Sequence, residues 1–307
     1  MKKMNVLLIG LGNVGMTYDL NKSDTVFTHL KALDVLEKIF KVQTQVYVYD
    51  LDKSKLLEAK RVKSNVNVID DFDKITNNFF DLTILAVPIE SLSNQLLIIL
   101  KSGISKKVLI EKPGCNNIEQ LNIIKCFQKT DDFLRIGFQR RTLPMSKYTK
   151  NLFDYRKDDF STYQFDIEFG GSFLNIASHF FDLIDFWIPD LIIDECFGNN
   201  LSGRVTFKKK NCSVMINYKQ TSKTNLENNS ILCSGSINFL YSESGRNIKF
   251  FDADSSTLNL NLNSEFDNML VFEAIDYLNW ASGLQNSSLT SYNSSMLGLV
   301  ILIGGTK

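Results

Sequence analysis

Histidine, proline and cysteine are scarce in this chain, and net charge is absent. Only two histidines, His29 and His179, occur in 307 residues, which all but excludes a histidine-rich zinc site. The five cysteines, Cys115, Cys126, Cys196, Cys212 and Cys233, are odd in number and include no C-x-x-C pair. They read as scattered reduced thiols of a reducing compartment, not as a disulfide framework. Lys and Arg total 34 and so do Asp and Glu, so no global field draws the chain to nucleic acid or to an anionic membrane. The longest late apolar run, Met296 to Ile303, is far short of the roughly 20 residues that span a bilayer. Lys2 and Lys3 before Val6 to Ile9 imitate a signal peptide. That run is very short and ends in a glycine-patterned turn with no small-residue cleavage site, so it reads as a buried first strand of a cytoplasmic protein.

What is present is ordinary globular composition, 44% hydrophobic and 22% charged, in a chain long enough to bury a core without staples. At roughly 150 residues per domain, two domains are expected. In the first half, apolar runs at Asn5 to Ile9, Val46 to Asp50, Val66 to Ile69, Asp81 to Val87, Lys107 to Glu111 and Leu134 to Gln139 alternate with helical patterns. The helices are expected at His29 to Lys41, Lys53 to Lys60, Glu90 to Lys101 and Asn117 to Gln128. Alternation of this kind predicts an α/β, doubly wound parallel sheet, and nearly solid apolar strands fit a sheet covered on both faces. The second half reads differently. Thr162 to Phe169 alternates, a helical segment runs from Phe173 to Trp187, and short strands follow at Val205 to Phe207, Ser213 to Lys219, Ser230 to Cys233, Ile237 to Tyr241 and Thr257 to Asn261. Helices at Phe266 to Ser282 and Ser291 to Ile303 close an α+β domain built on a mainly antiparallel sheet. The expected division is residues 1–120 and 121–307, with the closing helix packing back on the first domain. Lys208 to Lys210 reads as a solvated hairpin turn.

Gly10-Leu11-Gly12-Asn13-Val14-Gly15 fits G-x-G-x-x-G directly after a strand. In that context Gly10 permits the tight turn, Gly12 lets the backbone approach a pyrophosphate, and Gly15 lets the helix pack on the strand. The diphosphate would sit at the helix N-terminus, among free N–H groups including those of Asn13 and Val14. The alternative is a glycine turn without ligand. Asp50, at the end of the second strand, suits the ribose hydroxyls of NAD, with NADP left open; the competing reading makes it a turn or cap residue, a role Asp52 also fits. Asp50 lies farther from the motif than the roughly 20 residues the fingerprint expects, which points to an inserted loop over Met16 to Thr28. That loop would stand beside the phosphates. His29 follows it, chiefly as a helix-start or packing residue, with the alternative that it faces the cofactor. Pro88 and Glu111-Lys112-Pro113 end two further strands on the same rim. A lysine there suits proton transfer beside an oxidised nicotinamide, with Glu111 holding it by an ion pair; otherwise it is a solvated lysine before a helix-starting proline.

The combination of this glycine motif with Glu111-Lys112-Pro113, with Ile136-Gly137-Phe138-Gln139-Arg140-Arg141 and Pro144, and with Gly170-Gly171-Ser172-Phe173-Leu174-Asn175-Ile176-Ala177-Ser178-His179-Phe180-Phe181-Asp182-Leu183 resembles the Gfo/Idh/MocA family of sugar and inositol oxidoreductases over nearly the whole chain. The resemblance implies an N-terminal Rossmann domain and a C-terminal domain with a large open sheet. The outer face of that sheet often makes a dimer or tetramer contact. It implies an NAD(P)-dependent enzyme moving hydride between the nicotinamide and a hydroxyl or keto carbon of a sugar, nucleotide sugar or cyclitol, in a setting such as surface polysaccharide biosynthesis. Lys112 and His179 would face substrate, with His179 as base and Asp182 positioning. Read on its own, His179 is either such a base or a hydrogen-bonded core residue among Phe173, Phe180, Phe181 and Trp187. Many relatives carry Asp four residues before the histidine, where this chain has Asn175, which cannot ionise but can still hydrogen-bond. Either Lys112 and His179 suffice, or the chemistry departs from simple alcohol oxidation. The segment after Pro88 also lacks a histidine that many relatives have. Arg141 either binds a substrate carboxylate or phosphate or pairs at the domain junction, and Tyr148 is a further substrate candidate or a packing residue. Two rival readings stand: a dinucleotide-binding sensor without catalysis, and an enzyme that keeps NAD as a recycled catalyst.

Overall fold

The computed structural model describes residues 3–127, 132–155, 161–209, 212–222, 229–251, 257–284, 286–291 and 294–305. Gln128 and Lys210, at the ends of an expected helix and turn, lie outside the described residues. The chain forms two compact units, Met1–Thr142 with Asp267–Asn293, and Leu143–Phe266 with Ser294–Lys307.

The first unit alternates strand and helix: β1 (Met4–Ile9), α1 (His29–Phe40), β2 (Thr44–Tyr49), α2 (Lys53–Val62), β3 (Asn67–Val68), β4 (Phe80–Leu85), α3 (Ile89–Ser102), β5 (Ser105–Glu111), α4 (Ile118–Phe127) and β6 (Leu134–Gly137). The strands run parallel in the order β6-β5-β4-β1-β2-β3. Val6, Leu7, Leu8 and Ile9 of β1 are all buried, which is why that strand carries no polar alternation. β6 pairs with β5, so the parallel sheet runs past the expected boundary at 120 and the unit ends at Thr142. β6 itself stops at Gly137, two residues earlier than expected, because Gln139 to Thr142 coil into a 3-10 turn.

The second unit begins with α5 (Pro144–Tyr155) and β7 (Ser161–Gly170). The helix expected from Phe173 starts instead as a π-helical turn, Phe173–Ala177, capped by the Ser172 side chain, and becomes α6 at Ser178–Trp187. There follow β8 (Ile192–Gly198), β9 (Ser202–Lys209), β10 (Cys212–Ser222), β11 (Ser230–Ser234), β12 (Asn238–Ser242), β13 (Asn247–Phe251) and β14 (Thr257–Asn261). They make one eight-stranded sheet in the order β14-β13-β12-β11-β7-β10-β9-β8, antiparallel except between β7 and β10. On β10, Val214, Ile216 and Tyr218 are buried between more exposed neighbours, the period of two expected when one face is covered. Phe153, Phe165, Trp187 and Phe239 fill that face with ring-on-ring contacts 5.3–6.5 Å apart.

The chain then turns through α7 (Asn263–Asp267) into α8 (Met269–Ser282), so the single helix expected from Phe266 is two, broken at Asn268. α8 lies in the first unit, where Leu270, Ala274, Tyr277 and Leu278 join the core against Leu30 and Leu33 of α1. The short β15 (Thr290–Ser291) adds to β6 antiparallel, and α9 (Ser295–Gly305) belongs to the second unit. No described helix is long and apolar enough to cross a membrane.

Candidate functional site

All the parallel strands of the first unit deliver their carboxyl ends to one rim. The sheet order reverses between β1 and β4, and a crevice at such a reversal is where open α/β sheets bind ligands. β1 ends in the glycine turn. Gly10 has φ +95°, and a Cβ there would strike the Ala86 carbonyl oxygen at 2.4 Å. A Cβ at Gly15 would fall 2.0 Å from the carbonyl oxygen of Gly10. Gly12 differs: nothing lies within 4 Å of its Cβ position. Two glycines are thus required by packing and the middle one opens onto free space, which fits a backbone approached by a diphosphate. After one turn, in which Met16 N–H donates to Gly12 C=O, the chain leaves the helix through Thr17 to Thr28. It then rejoins: His29 N–H donates to Val14 C=O at 2.9 Å and Leu30 N–H to Gly15 C=O at 3.1 Å. The expected loop is therefore an excursion from a helix whose ladder closes behind it. Buried Asp19 closes the loop by accepting from Phe27 N–H and the Thr28 hydroxyl. Asn13 is on the exposed side, its amide oxygen 3.3 Å from Thr17 Oγ1.

Asp50 follows β2 and accepts hydrogen bonds from Leu11 N–H at 2.7 Å and Asp52 N–H at 2.8 Å. It ties the glycine turn to the neighbouring strand and holds a carboxylate at the turn's edge. Asp52 caps α2 through Ser54 N–H. Pro88 caps α3, its carbonyl accepting from Ser91 and Leu92. Lys112 comes next after β5, with a cis bond to Pro113. Burial, helped by the Arg140 guanidinium, pulls its amine down to about 8 in spite of the opposing Glu111 carboxylate. The decrease thus precedes any cationic ring. Arg141 is buried in the 3-10 turn that follows β6.

Glu111 faces inward. Its Oε1 lies 2.9 Å from Nε2 of His29, the first residue of α1, which is fully buried. Glu273 of α8 completes a group whose ligand-type atoms all lie within 4.8 Å of one another. Two ionised carboxylates at such a separation repel by roughly 3 kcal/mol or more at an effective dielectric constant near 20, before desolvation is counted. Burial first, then Glu111 and Asp276, hold the Glu273 carboxyl well above the usual carboxylate range. Sequence reading placed His29 as a helix-start residue and missed Glu273. The signal was there: Leu270, Glu273, Ala274, Tyr277 and Leu278 share one helical face, so an acid occupies a core position.

In the second unit the π-helical turn and α6 carry three of the expected residues. Asn175 is exposed on the turn, while His179 and Asp182 are buried in the first turns of α6. A π-helical turn re-aims side chains and is frequent at functional sites. Gly171, at φ +83°, starts the approach to it. Tyr148 stands on α5, 44% exposed, with its ring 5.9 Å from that of Phe250. Gly10, Gly12, Asn13, Val14, Gly15, Asp50, Pro88, Glu111, Lys112 and Arg141 therefore belong to the first unit, and Tyr148, Asn175, His179 and Asp182 to the second.

The sequence matches no protein-family profile and no curated protein. Solved structures do share the fold. A Gfo/Idh/MocA family oxidoreductase from Vibrio cholerae superposes with a TM-score of 0.66 at 13% identity, covering 99% of this chain and 95% of that one. Levoglucosan dehydrogenase, solved with NADH and levoglucosan, gives 0.72 at 13% identity, over 99% and 95%. UDP-N-acetylglucosamine 3-dehydrogenase from Acidithiobacillus ferrooxidans gives 0.70 at 12% identity, over 99% and 97%.

Proposed function

We propose that this chain is a nicotinamide-dependent oxidoreductase acting on a hydroxyl-bearing carbon of a sugar, nucleotide sugar or cyclitol. The observation that carries the reading is the placement of a lysine with its amine near 8 on the same strand-end rim as a glycine turn whose middle residue is open. Sharing a fold with dehydrogenases of sugars and nucleotide sugars supports it. A bound nicotinamide would supply the hydride acceptor or donor. The chain supplies the rest. Gly12, Asn13 and Val14 would receive the diphosphate, and Pro88 would flank the dinucleotide on the rim, while the Glu111 side chain, expected there too, turns inward to His29 and stands behind it. Asp50 would take the adenosine ribose hydroxyls and repel a 2′-phosphate, favouring NAD over NADP.

In this reading His179 accepts the substrate hydroxyl proton and Lys112 shares in the transfer, as acid when the reaction runs towards alcohol. Arg141, Asp182, Asn175 and Tyr148 are the substrate-contacting candidates. The protein is read as a cytoplasmic homodimer or homotetramer. The apolar side chains left exposed on the second sheet, among them Ile192, Phe197, Leu232 and Leu258, support association through that sheet. Titration of the purified chain with NADH, followed by nicotinamide fluorescence, tests the cofactor. A panel of nucleotide sugars and cyclitols with NAD tests the chemistry. No nicotinamide binding at millimolar NADH would overturn the reading. Asn175, unable to ionise, favours a second reading in which the cofactor is bound without net oxidation; NAD retained through purification with no net redox change on any sugar of the panel would support it.

A further inference from the structure

Glu273 is a fully buried carboxyl group, and among the described residues neither of its oxygens meets a hydrogen-bond donor. An ionised carboxylate in that state is among the most costly arrangements a core can hold. Four elements surround it. His29 and Glu111 approach from α1 and the end of β5. Its own helix contributes Tyr277, whose buried hydroxyl also lacks a partner, and Asp276. Asp276 is already satisfied by the Ser287 hydroxyl at 2.6 Å and the Ser288 hydroxyl at 2.7 Å. β6 contributes a missing side chain. A methyl at Gly137 would lie 2.7 Å from Glu273 Oε1 and 3.3 Å from Glu111 Oε1, so any side chain there would push the Glu273 carboxyl out of its present place. The Glu111 carboxylate and the Arg140 guanidinium both act on the Lys112 amine.

One distribution of protons reconciles these groups. With the imidazole proton on Nε2, His29 donates to Glu111 Oε1, which as a carboxylate oxygen can only accept. Its Nδ1 is then only an acceptor, and a buried acceptor without a partner costs less than a buried donor without one. Glu111 is the anion, because it accepts that bond and lies beside the Lys112 ammonium. A single proton on Glu273 lets the otherwise repelling carboxyls share an O–H···O contact. We infer that Glu273 is retained as an un-ionised carboxylic acid that donates its proton to Glu111, and that through Glu111 it acts as the positioning residue for Lys112. The second half rests on the proposed role of Lys112. Its consequence is that one negative charge, not two, stands behind the amine, which keeps the amine's proton affinity low enough for transfer near neutral pH. A divalent cation held by the same three side chains would also offset their charge. A metal-bound histidine is normally oriented by a partner on its other ring nitrogen, which His29 lacks, so the proton is favoured.

Infrared difference spectroscopy on the purified full chain at neutral pH reads the acid directly, since an un-ionised carboxyl has a carbonyl-stretch band that a carboxylate lacks. The band is expected in the wild type and in Glu265→Gln, and absent in Glu273→Gln. Its absence from the wild type, or its survival in Glu273→Gln, sinks the acid. So does a stoichiometric divalent cation found by elemental analysis. Denaturation adds a readout that needs no spectroscopy. The folded state holds a proton that the unfolded chain releases above about pH 4.5, so the folding constant of the wild type should fall relative to Glu273→Gln by up to about tenfold per pH unit between that value and the folded one. A difference that stays flat with pH overturns the inference. Both readouts need no substrate and so stand apart from the hydride-transfer reading. The positioning half is read in the pH–rate profile. The limb near pH 8 keeps its place in Glu273→Gln, whose amide still donates, and moves upward by roughly half a unit or more in Glu273→Leu. A limb that does not move in the leucine variant reduces Glu273 to a structural acid.

Discussion

The two units bury different chemistry around their candidate site residues. Around α6, which carries His179, the second unit packs aromatic rings: Phe173, Phe181 and Tyr218 lie 5.4–5.5 Å apart, and the Trp187 indole donates to Ser146 C=O at 3.2 Å. The first unit gathers ionisable groups behind the strand end that carries Lys112: Glu111, His29, Glu273 and Tyr277, in a core of mainly aliphatic residues that also holds Trp280. An aromatic wall fixes a side chain by volume and is indifferent to pH. A wall of acids and imidazole fixes charge as well as position and must answer to pH. The contrast shows how one chain can supply a rigid support in one half and a tuned electrostatic one in the other.

The contrast breaks first at Lys112. Lys112→Met should lower turnover by about 10²–10⁴-fold on any substrate the panel identifies, while dinucleotide binding persists; steady-state kinetics with fluorescence titration checks both. Next comes Trp187→Ala, which should cost the second unit about 3–5 kcal/mol in urea denaturation, with the same loss at pH 6 and pH 9. By contrast, stability of the wild type should carry a pH-dependent term from Lys112. Its folded-state amine is lowered to about 8 from 10.5, so between those values the unfolded chain binds the extra proton and stability rises with pH. Lys112→Met should remove that rise. Asp50→Ala leaves Leu11 and Asp52 N–H without their acceptor and should cost about 1–3 kcal/mol, together with the preference for NAD over NADP. The smallest change is Asn175→Asp, expected to shift the acid limb of the pH–rate profile without altering Tm by more than about 2 °C, as suits an exposed site.

Much of the fold was legible because the physics is local. Val6 to Ile9 and Val108 to Ile110 are apolar without interruption since both faces are covered, and the alternation on β10 declares a single covered face. The glycine turn was legible because sterics at Gly10 and Gly15 leave no substitute. What escaped depends on partners distant in sequence. β8 reads as polar and mixed because all of it is exposed at a sheet edge. β13 escaped because Phe250 and Phe251 stand side by side and only Ile248 is fully buried, so its residues show no alternation. α5 opens with Pro144, taken as part of a motif rather than as the first residue of a helix, where proline is well suited. The crossing at Thr142 was hidden because β6 pairs within the first sheet although the two sheets meet in sequence there. Of the site, Lys112 and His179 stood out by residue type. Glu273 did not, because an acid in a helix is usually solvated, and only the empty place at Gly137, 136 residues earlier, makes room for it.

The turn that begins at Gly12 is left at Thr17 and met again by α1 at His29, which bears on how this chain tolerates change. Val14 and Gly15 hand their carbonyls straight to His29 and Leu30, and Asp19 with the Thr28 cap fixes the foot of the loop, so Leu20 to Thr25 stand outside the joint. Insertions, deletions or a grafted tag among Leu20 to Thr25 leave the register of α1, and with it the depth at which His29 sits, untouched. The segment is a detachable module on a fixed mount, and altering it is the gentlest way to vary the surroundings of the glycine turn while the buried acid network behind it stays as it is.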